Sequence, residues 1–310
     1  MNIKVAVSGA CSFTGLWIAR ALKDKGYAVL AHISEQPDEC VGLKGIRLKL
    51  LHDIANVTFG IKAEDGSMLT WIRENKPDIW IHHHHWMPNF RSPDYDLDKA
   101  LEIGVKPIPA LVSELANNAC KGIVYTGTYF EPNEGGKSEH DEVTPYSNSK
   151  ALVWKGLKAE AEQKHLPVSK CVLPDPVGPF ENEDRVIPLL IKKSLNGEQF
   201  ALMSPRAIGD RVSVFHVAET YCSLVDGLLD GRAQIVRPSG WVGPLDEWIK
   251  LVLEELVERQ LGIKPCSVIK NESPKKPDAL MNSKSEKLNI NWPSVWKQYA
   301  EWLRQTHYLV

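Results

Sequence analysis

The chain has six cysteines, but none is spaced C-x-x-C. That excludes a redox dithiol motif and a zinc knuckle and leaves buried or incidental thiols of a reducing compartment. No stretch approaches the ~18 apolar residues that span a bilayer. The first apolar run is too short for a secretory leader and leads straight into a glycine turn. A cytoplasmic, membrane-free protein is therefore expected. Neither sign of charge dominates: Lys and Arg total 37 against 39 Asp and Glu, a formal net charge of −2. With no basic face evident, nucleic acid is not an expected partner. Internal repeats and low-complexity linkers are also missing. The 310 residues are enough for one large domain, or a domain with a lobe, around a sizeable core.

The chain begins with a short apolar strand, IKVAV (3–7). Gly9-Ala-Cys-Ser12-Phe-Thr-Gly15 and the helical run LWIARALKDKG follow. Strand, tight turn and helix are the context of a dinucleotide fingerprint. Gly9 and Gly15 fit G-x-x-G-x-x-G, while Ser12 stands in the middle place. Its hydroxyl is small enough to face a phosphate at the helix N-terminus, beside Phe13 and Thr14. The second strand, YAVLAHIS, ends without the Asp or Glu that would hold the ribose 2′-hydroxyl of NAD. His32 and Ser34 stand there, with Glu35 only after them. This favours NADP(H), with NAD as the alternative, and Ser34 as the discriminating residue. IRLKLLHDIAN reads as a third strand ending at Asp53 and Ile54. Residues 78–81 and 122–128 read as the fourth and fifth strands.

A helix carrying Tyr146 and Lys150, in YSNSK, follows the fifth strand. The i,i+4 spacing places both side chains on one face. A free tyrosine has a pKa near ~10, and a nearby ammonium is expected to lower it. The pair can move a proton at a carbonyl or hydroxyl oxygen. In the run His82–His85, neighbouring strand residues point to opposite faces, so the run cannot ligate one ion and no metal site is expected. Trp86 closes the run at a strand's C-terminal end, where α/β sheets bind ligands. Most other tryptophans, including Trp71, Trp80, Trp154, Trp292, Trp296 and Trp302, read as core. Residues 131–145 and 271–279 read as loops, the first placed to act as a lid.

The chain resembles the extended short-chain dehydrogenase/reductase superfamily, in its nucleotide-sugar epimerase, dehydratase and reductase branch. KPDIWIHHHH is similar to that family's PD-x-V-I-H-L-A-A strand and IVYTGT to its V-V-Y-x-S-S strand. TPYSNSK is similar to P-x-x-x-Y-x-x-S-K, and VLPDPVGPFENEDRVIPLL to its N-V-Y-G-P … R-x-x-P segment. GDRVSVFHVAETY and the C-terminal MNSKSEKLNINWPSVW also match in order. The departures are Ser12, the His84–His85–Trp86 run where small residues are usual, Asp175 in place of Asn, and Val212 and Ala218 in place of acidic residues.

The resemblance implies an α/β fold, a Rossmann-type doubly wound parallel sheet with a smaller C-terminal lobe. The dinucleotide domain is expected over 1–173, with 209–237 returning to it. The substrate lobe is expected over 174–208 and 238–310. Thr128, Tyr146 and Lys150 are the implied catalytic set. Cofactor contacts are implied for Gly9, Ser12, Phe13, Thr14, Gly15, Ser34, Asp53, Ile54, His83, His84, Lys150 and Pro174. Substrate contacts are implied for His85, Trp86, Thr128, Asp175 and Arg185. The expected reaction is reduction of a 4-keto sugar on a nucleotide, with Tyr146 as proton donor. Thr128 is followed by Tyr-Phe-Glu rather than the Asp-Glu of 4,6-dehydratases. A 4-epimerase is the alternative within the fold, and a non-catalytic dinucleotide-binding regulator the alternative outside it. A homodimer is expected.

Overall fold

The computed structural model describes residues 2–132, 134, 144–271, 279–280 and 285–308. The chain runs β1 (Lys4–Ser8), α1 (Phe13–Asp24), β2 (Ala28–His32), α2 (Gly42–His52), β3 (Asn56–Thr58), α3 (Ser67–Asn75) and β4 (Ile79–His82). It continues through α4 (Leu97–Gly104), α5 (Ile108–Asn117), β5 (Gly122–Thr128), α6 (Pro145–Gln163) and β6 (Val168–Leu173). Then come β7 (Asp175–Val177), α7 (Val186–Leu195), β8 (Phe200–Leu202), β9 (Ile208–Ser213), α8 (Val214–Leu229) and β10 (Ile235–Val236). The last elements are β11 (Pro238–Ser239), β12 (Trp241–Pro244), α9 (Leu245–Leu251), β13 (Val268–Lys270), β14 (Ala279–Leu280), β15 (Glu286–Lys287) and α10 (Trp292–Thr306).

Seven parallel strands form the central sheet in the order β10-β6-β5-β4-β1-β2-β3. This is the expected doubly wound α/β fold. Its strands are apolar on both faces because helices cover both: every residue of β5 is buried. α1 and α8 lie on one face, over Val5, Val7 and Val124. α3, α5 and α6 lie on the other, over Ala6, Trp80 and Tyr125. The winding reverses between β1 and β4, the place where open sheets of this kind bind ligands.

The expected third strand is a helix. In IRLKLLH, Ile46, Leu48 and Leu50 alternate like a strand, but Arg47, Leu48 and Leu51 are buried at helical spacing and α2 packs beside α1. Asp53 is the exposed C-cap of α2 and Ile54 is buried behind it. Neither stands at a strand end, and β3 starts only at Asn56.

The lobe is a four-stranded sheet, β12-β9-β14 with β7 beside β9, flanked by α9, its π-helical continuation Val252–Gln260, and α10. Trp248 is buried among Trp241, Trp292 and Trp296. Trp17 of α1 donates its indole N–H to the Pro179 carbonyl at 3.1 Å and packs on Phe180, Phe215 and Trp302. The lobe and the sheet thus share one core. Residues 133, 135–143 and 272–278, most of the two expected loops, lie outside the described residues. The lid expectation falls there. No helix among the described residues is long and apolar enough to cross a membrane.

Candidate active site

The turn after β1 is closed by two glycines. Gly9 has φ 68°, and a Cβ there would lie 3.1 Å from the His84 Cα. A Cβ on Gly15 would lie 2.3 Å from the Gly9 carbonyl oxygen. Ser12 acts as the N-cap of α1: its Oγ accepts from the Gly15 N–H at 3.1 Å. The N–H groups of Phe13 and Thr14 lie at the positive end of the helix, where a phosphate is favoured. A dinucleotide pyrophosphate fits this cradle.

Ser8, at the end of β1, bends the histidine run over the switch point. Its Oγ accepts from the N–H groups of His83 and His84 at 2.9 and 3.1 Å. The His83 ring bridges the turn to β5, with Nε2 3.1 Å from Ser12 Oγ and Nδ1 2.9 Å from Thr126 Oγ1. Thr126 is also hydrogen-bonded to the Tyr221 hydroxyl at 2.6 Å. His85 Nε2 turns the other way, to Ser149 Oγ at 2.9 Å, with the Tyr95 hydroxyl 3.3 Å away. His82 and His84 pack with ring centroids 4.4 Å apart, and His32 lies against Trp80. Burial holds these rings neutral: His32 and His83 are pushed down to about 3, His84 to about 4, and His82 and His85 well below the ordinary histidine value. His32 Nε2, His82 Nε2 and His84 Nδ1 are buried with no hydrogen-bond partner. No group of three His, Cys, Asp or Glu among the described residues could hold a metal ion.

Helix α6 starts sharply at Thr144, whose Oγ1 accepts from the Ser147 N–H at 3.2 Å, with Pro145 in the first turn. This sets Tyr146 and Lys150 against β5. Tyr146 is enclosed by His85, Phe90 and Tyr95 and is hydrogen-bonded to the Thr128 side chain. Burial pushes its hydroxyl above the ordinary tyrosine value and outweighs Thr128. The expected lowering by Lys150 is not what dominates. The Lys150 ammonium donates to the Thr126 carbonyl and lies over the Tyr125 ring at 4.7 Å. Burial pushes it down to about 8.

Farther out, Arg185 donates to the Asp175 carboxylate at 2.5 Å and pairs with buried Glu181 at 2.8 Å. Arg211 lies 4.0 Å from Asp175. Burial raises the Glu181 carboxyl to about 7, against the opposing pull of Arg185. Pro174 is buried between β6 and β7. Trp86 packs beside Tyr146, and its indole nitrogen is buried without a partner.

A family model matches residues 5–227: the NAD dependent epimerase/dehydratase family. The chain belongs to that family. It is an NAD-dependent enzyme of the extended short-chain type that the motifs resembled. Comparison with curated protein sequences gave no significant match. The chain is similar in structure to UDP-glucuronic acid 4-epimerase of Bacillus cereus, solved with UDP-glucuronic acid and NAD. The TM-score is 0.76 and the identity 14%, covering 98% of this chain and 99% of that one. It is similar to UDP-glucose 4-epimerase of Thermotoga maritima, solved with UDP-glucose, at TM-score 0.75 and 14% identity over 98% and 100%. It is also similar to UDP-N-acetylglucosamine 4-epimerase of Methanobrevibacter ruminantium, at TM-score 0.74 and 15% identity over 98% and 99%. Identities this low carry the fold.

Set in the family's frame, the expected residues separate into groups. Gly9, Ser12, Gly15, His83 and His84 meet at one end of the switch point. Thr128, Tyr146, His85 and Trp86 meet at the other, and Asp175 with Arg185 forms a separate cluster. Asp53 and Ile54 belong to none. Ser34 is exposed and donates to Glu35 at 2.9 Å, and Glu35 is also paired with Lys44. Sequence reasoning missed Ser8, Tyr221 and Tyr95. Ser8 had a signal, its place directly before the first glycine. Tyr221 and Tyr95 had none, because they reach the site from distant segments.

Proposed function

We propose that the chain is an NAD-dependent 4-epimerase of a nucleotide-linked sugar. One observation carries this: Tyr146 is hydrogen-bonded to Thr128 at the end of β5, one helical turn from Lys150, within a family domain whose structural relatives include 4-epimerases of UDP-sugars. Bound NAD would supply a hydride acceptor at the sugar carbon and return the hydride to the opposite face. Tyr146 takes the hydroxyl proton in the first half and gives it back in the second, while Thr128 orients the oxygen. Lys150, whose ammonium lies at the Thr126 carbonyl, would hold the nicotinamide ribose. Gly9, Ser12, Phe13, Thr14 and Gly15 would hold the pyrophosphate. His83 and His84 would close over the cofactor, and Pro174 would flank it. His85 and Trp86 would face the sugar. Arg185 and Arg211, with Asp175 between them, would face the nucleotide end.

The relatives solved with NAD support NAD as cofactor, and so does Glu35. Its carboxylate follows Ser34 at the end of β2, where it can meet ribose hydroxyls. His32 is buried against Trp71 and Trp80, which leaves its ring little access to a 2′-phosphate.

A second reading, reduction of a keto sugar, is favoured by one observation. The Tyr146 hydroxyl is raised by burial, which suits a proton donor. The test is to incubate purified protein with UDP-glucose and, separately, UDP-glucuronic acid, and to follow both epimers by NMR. An equilibrium mixture without net consumption of added dinucleotide supports epimerisation. Stoichiometric oxidation of a nicotinamide with a keto sugar supports reduction. Bound dinucleotide with neither activity favours the regulator.

A further inference from the structure

Behind Thr128 lies a chain of buried charges that the proposed reaction does not use. Glu131 and Lys170 are 4% and 2% exposed. The Glu131 carboxylate accepts from the Thr128 N–H at 2.8 Å and pairs with the Lys170 ammonium at 2.7 Å. The Glu131 N–H in turn donates to the Thr128 carbonyl at 3.0 Å, so the turn is closed twice. Lys170 also meets Glu134 at 3.4 Å, and Arg237 holds Glu134 through two bonds, of 2.6 and 3.1 Å.

The chain of contacts returns to the helix of Tyr146. The Lys170 ammonium lies over the Trp154 ring at 5.1 Å. Trp154 stacks on Tyr125 at 5.7 Å, and Tyr125 carries the Lys150 ammonium on its face and donates its hydroxyl to the Lys150 carbonyl at 2.8 Å. The residue between Thr126 and Thr128 is Gly127. A Cβ there would lie 2.4 Å from the Lys170 side chain and 2.7 Å from the Glu131 carboxylate. The backbone is thus shaped around the pair.

A buried ion pair is a weak source of stability, since apolar residues of similar volume do as well or better. A role in charge and placement gives the pair a purpose that packing does not. We propose that Glu131 and Lys170 are positioning residues for the Thr128–Tyr146–Lys150 group. They fix the turn that carries Thr128 and balance the charge around Lys150. This rests on the proposed roles of those three residues. The groups around Lys150 that carry or can carry charge are Glu131, Lys170, Tyr125, Tyr146 and His82–His85. Among them Glu131 favours the ammonium and Lys170 opposes it.

The test compares full-length wild type, Glu131→Gln, Lys170→Met and the double variant. The first readout needs no substrate: NMR titration of the Lys150 side chain, assigned by its loss in Lys150→Met. Glu131→Gln should lower the Lys150 pKa and Lys170→Met should raise it, each by about half to one unit. The double variant should return near wild type. Shifts of one sign, or no shift, overturn the charge role. The second readout is kcat against KM. Glu131→Asp keeps the charge but cannot span to the Thr128 N–H, so kcat should fall about 10-fold or more with KM unchanged. Unchanged kcat overturns the positioning role, even if Glu131→Gln does not fold. If Tyr146→Phe retains turnover while Lys150 titrates as expected, the reading of Tyr146 has failed and the positioning role goes with it.

Discussion

Two polar regions flank β5, both largely withdrawn from solvent and built in opposite ways. On the β4 side, neutral histidines are held by hydrogen bonds to uncharged groups, two of them at His83, and three ring nitrogens, on His32, His82 and His84, have no partner. On the β6 side, full charges alternate along Glu131, Lys170, Glu134 and Arg237, and each is paired. The difference follows from what burial costs. An uncharged polar atom left unpaired costs about 1–3 kcal/mol, whereas a lone charge costs far more. The histidine side can therefore tolerate gaps, and the ionic side cannot.

Acid should separate the two sides most strongly. The unfolded chain takes up protons at histidine near pH ~6.5, while His32, His83 and His84 resist to about 3, 3 and 4. Their contribution is fully present above pH ~6.5 and is lost as pH falls toward the folded-state values, at about 1.4 kcal/mol per unit for each ring. Urea unfolding at pH 7.5, 6.5 and 5.5 should show a loss of several kcal/mol over the last step alone. A flat profile would mean that the rings charge within the fold.

Breaking the ionic side should come next. Lys170→Met strands the Glu131 carboxylate, whose ion-pair partner among the described residues is Lys170, and should cost about 3–5 kcal/mol in denaturant unfolding. Glu131→Gln with Lys170→Met leaves no stranded charge and should recover most of it. Equal losses in the single and double variants would mean that packing rather than charge holds this side.

Where the two sides meet, Tyr146→Phe should lower turnover by about 10²–10⁴-fold. Cofactor affinity and melting temperature should hardly change, and near-normal turnover would remove Tyr146 from the reaction. The smallest effect is expected at Ser12. Ser12→Ala removes the cap of α1 and one hydrogen bond to His83, and should cost about 1 kcal/mol. Ser12→Gly should cost a few tenths. Calorimetric titration with NAD and with NADP should show the same ranking and a preference for NAD. A preference for NADP would restore Ser34, rather than Glu35, as the discriminating residue.

The glycine turn was legible because its signals are local: an apolar strand and two glycines at fixed spacing; the capping role of Ser12, read from sequence as a phosphate contact, was not. The YSNSK helix was legible for the same reason. IRLKLLH misled because Ile46, Leu48 and Leu50 give a strand's period inside a helix whose packing runs through Arg47, Leu48 and Leu51. The true β3 is three residues long, too short to show a period. The ionic side left no local trace. Glu131 and Lys170 are 39 residues apart, and a lysine within a strand reads as a solvent-facing residue until its neighbours are known.

Gly127 links these observations to the order in which the sequence can change. While Lys170 and Glu131 are present, any side chain at 127 collides with both. Loss of Lys170 alone leaves Glu131 buried without a counter-charge among the described residues, and loss of Glu131 alone leaves Lys170 only its longer contact with Glu134. A lineage leaving this arrangement must therefore first exchange both charges for neutral residues, with a short one at 170. Only then can position 127 accept even alanine. The T-G-T step is a late position to mutate, and a relative with a larger residue at 127 should already have lost the pair.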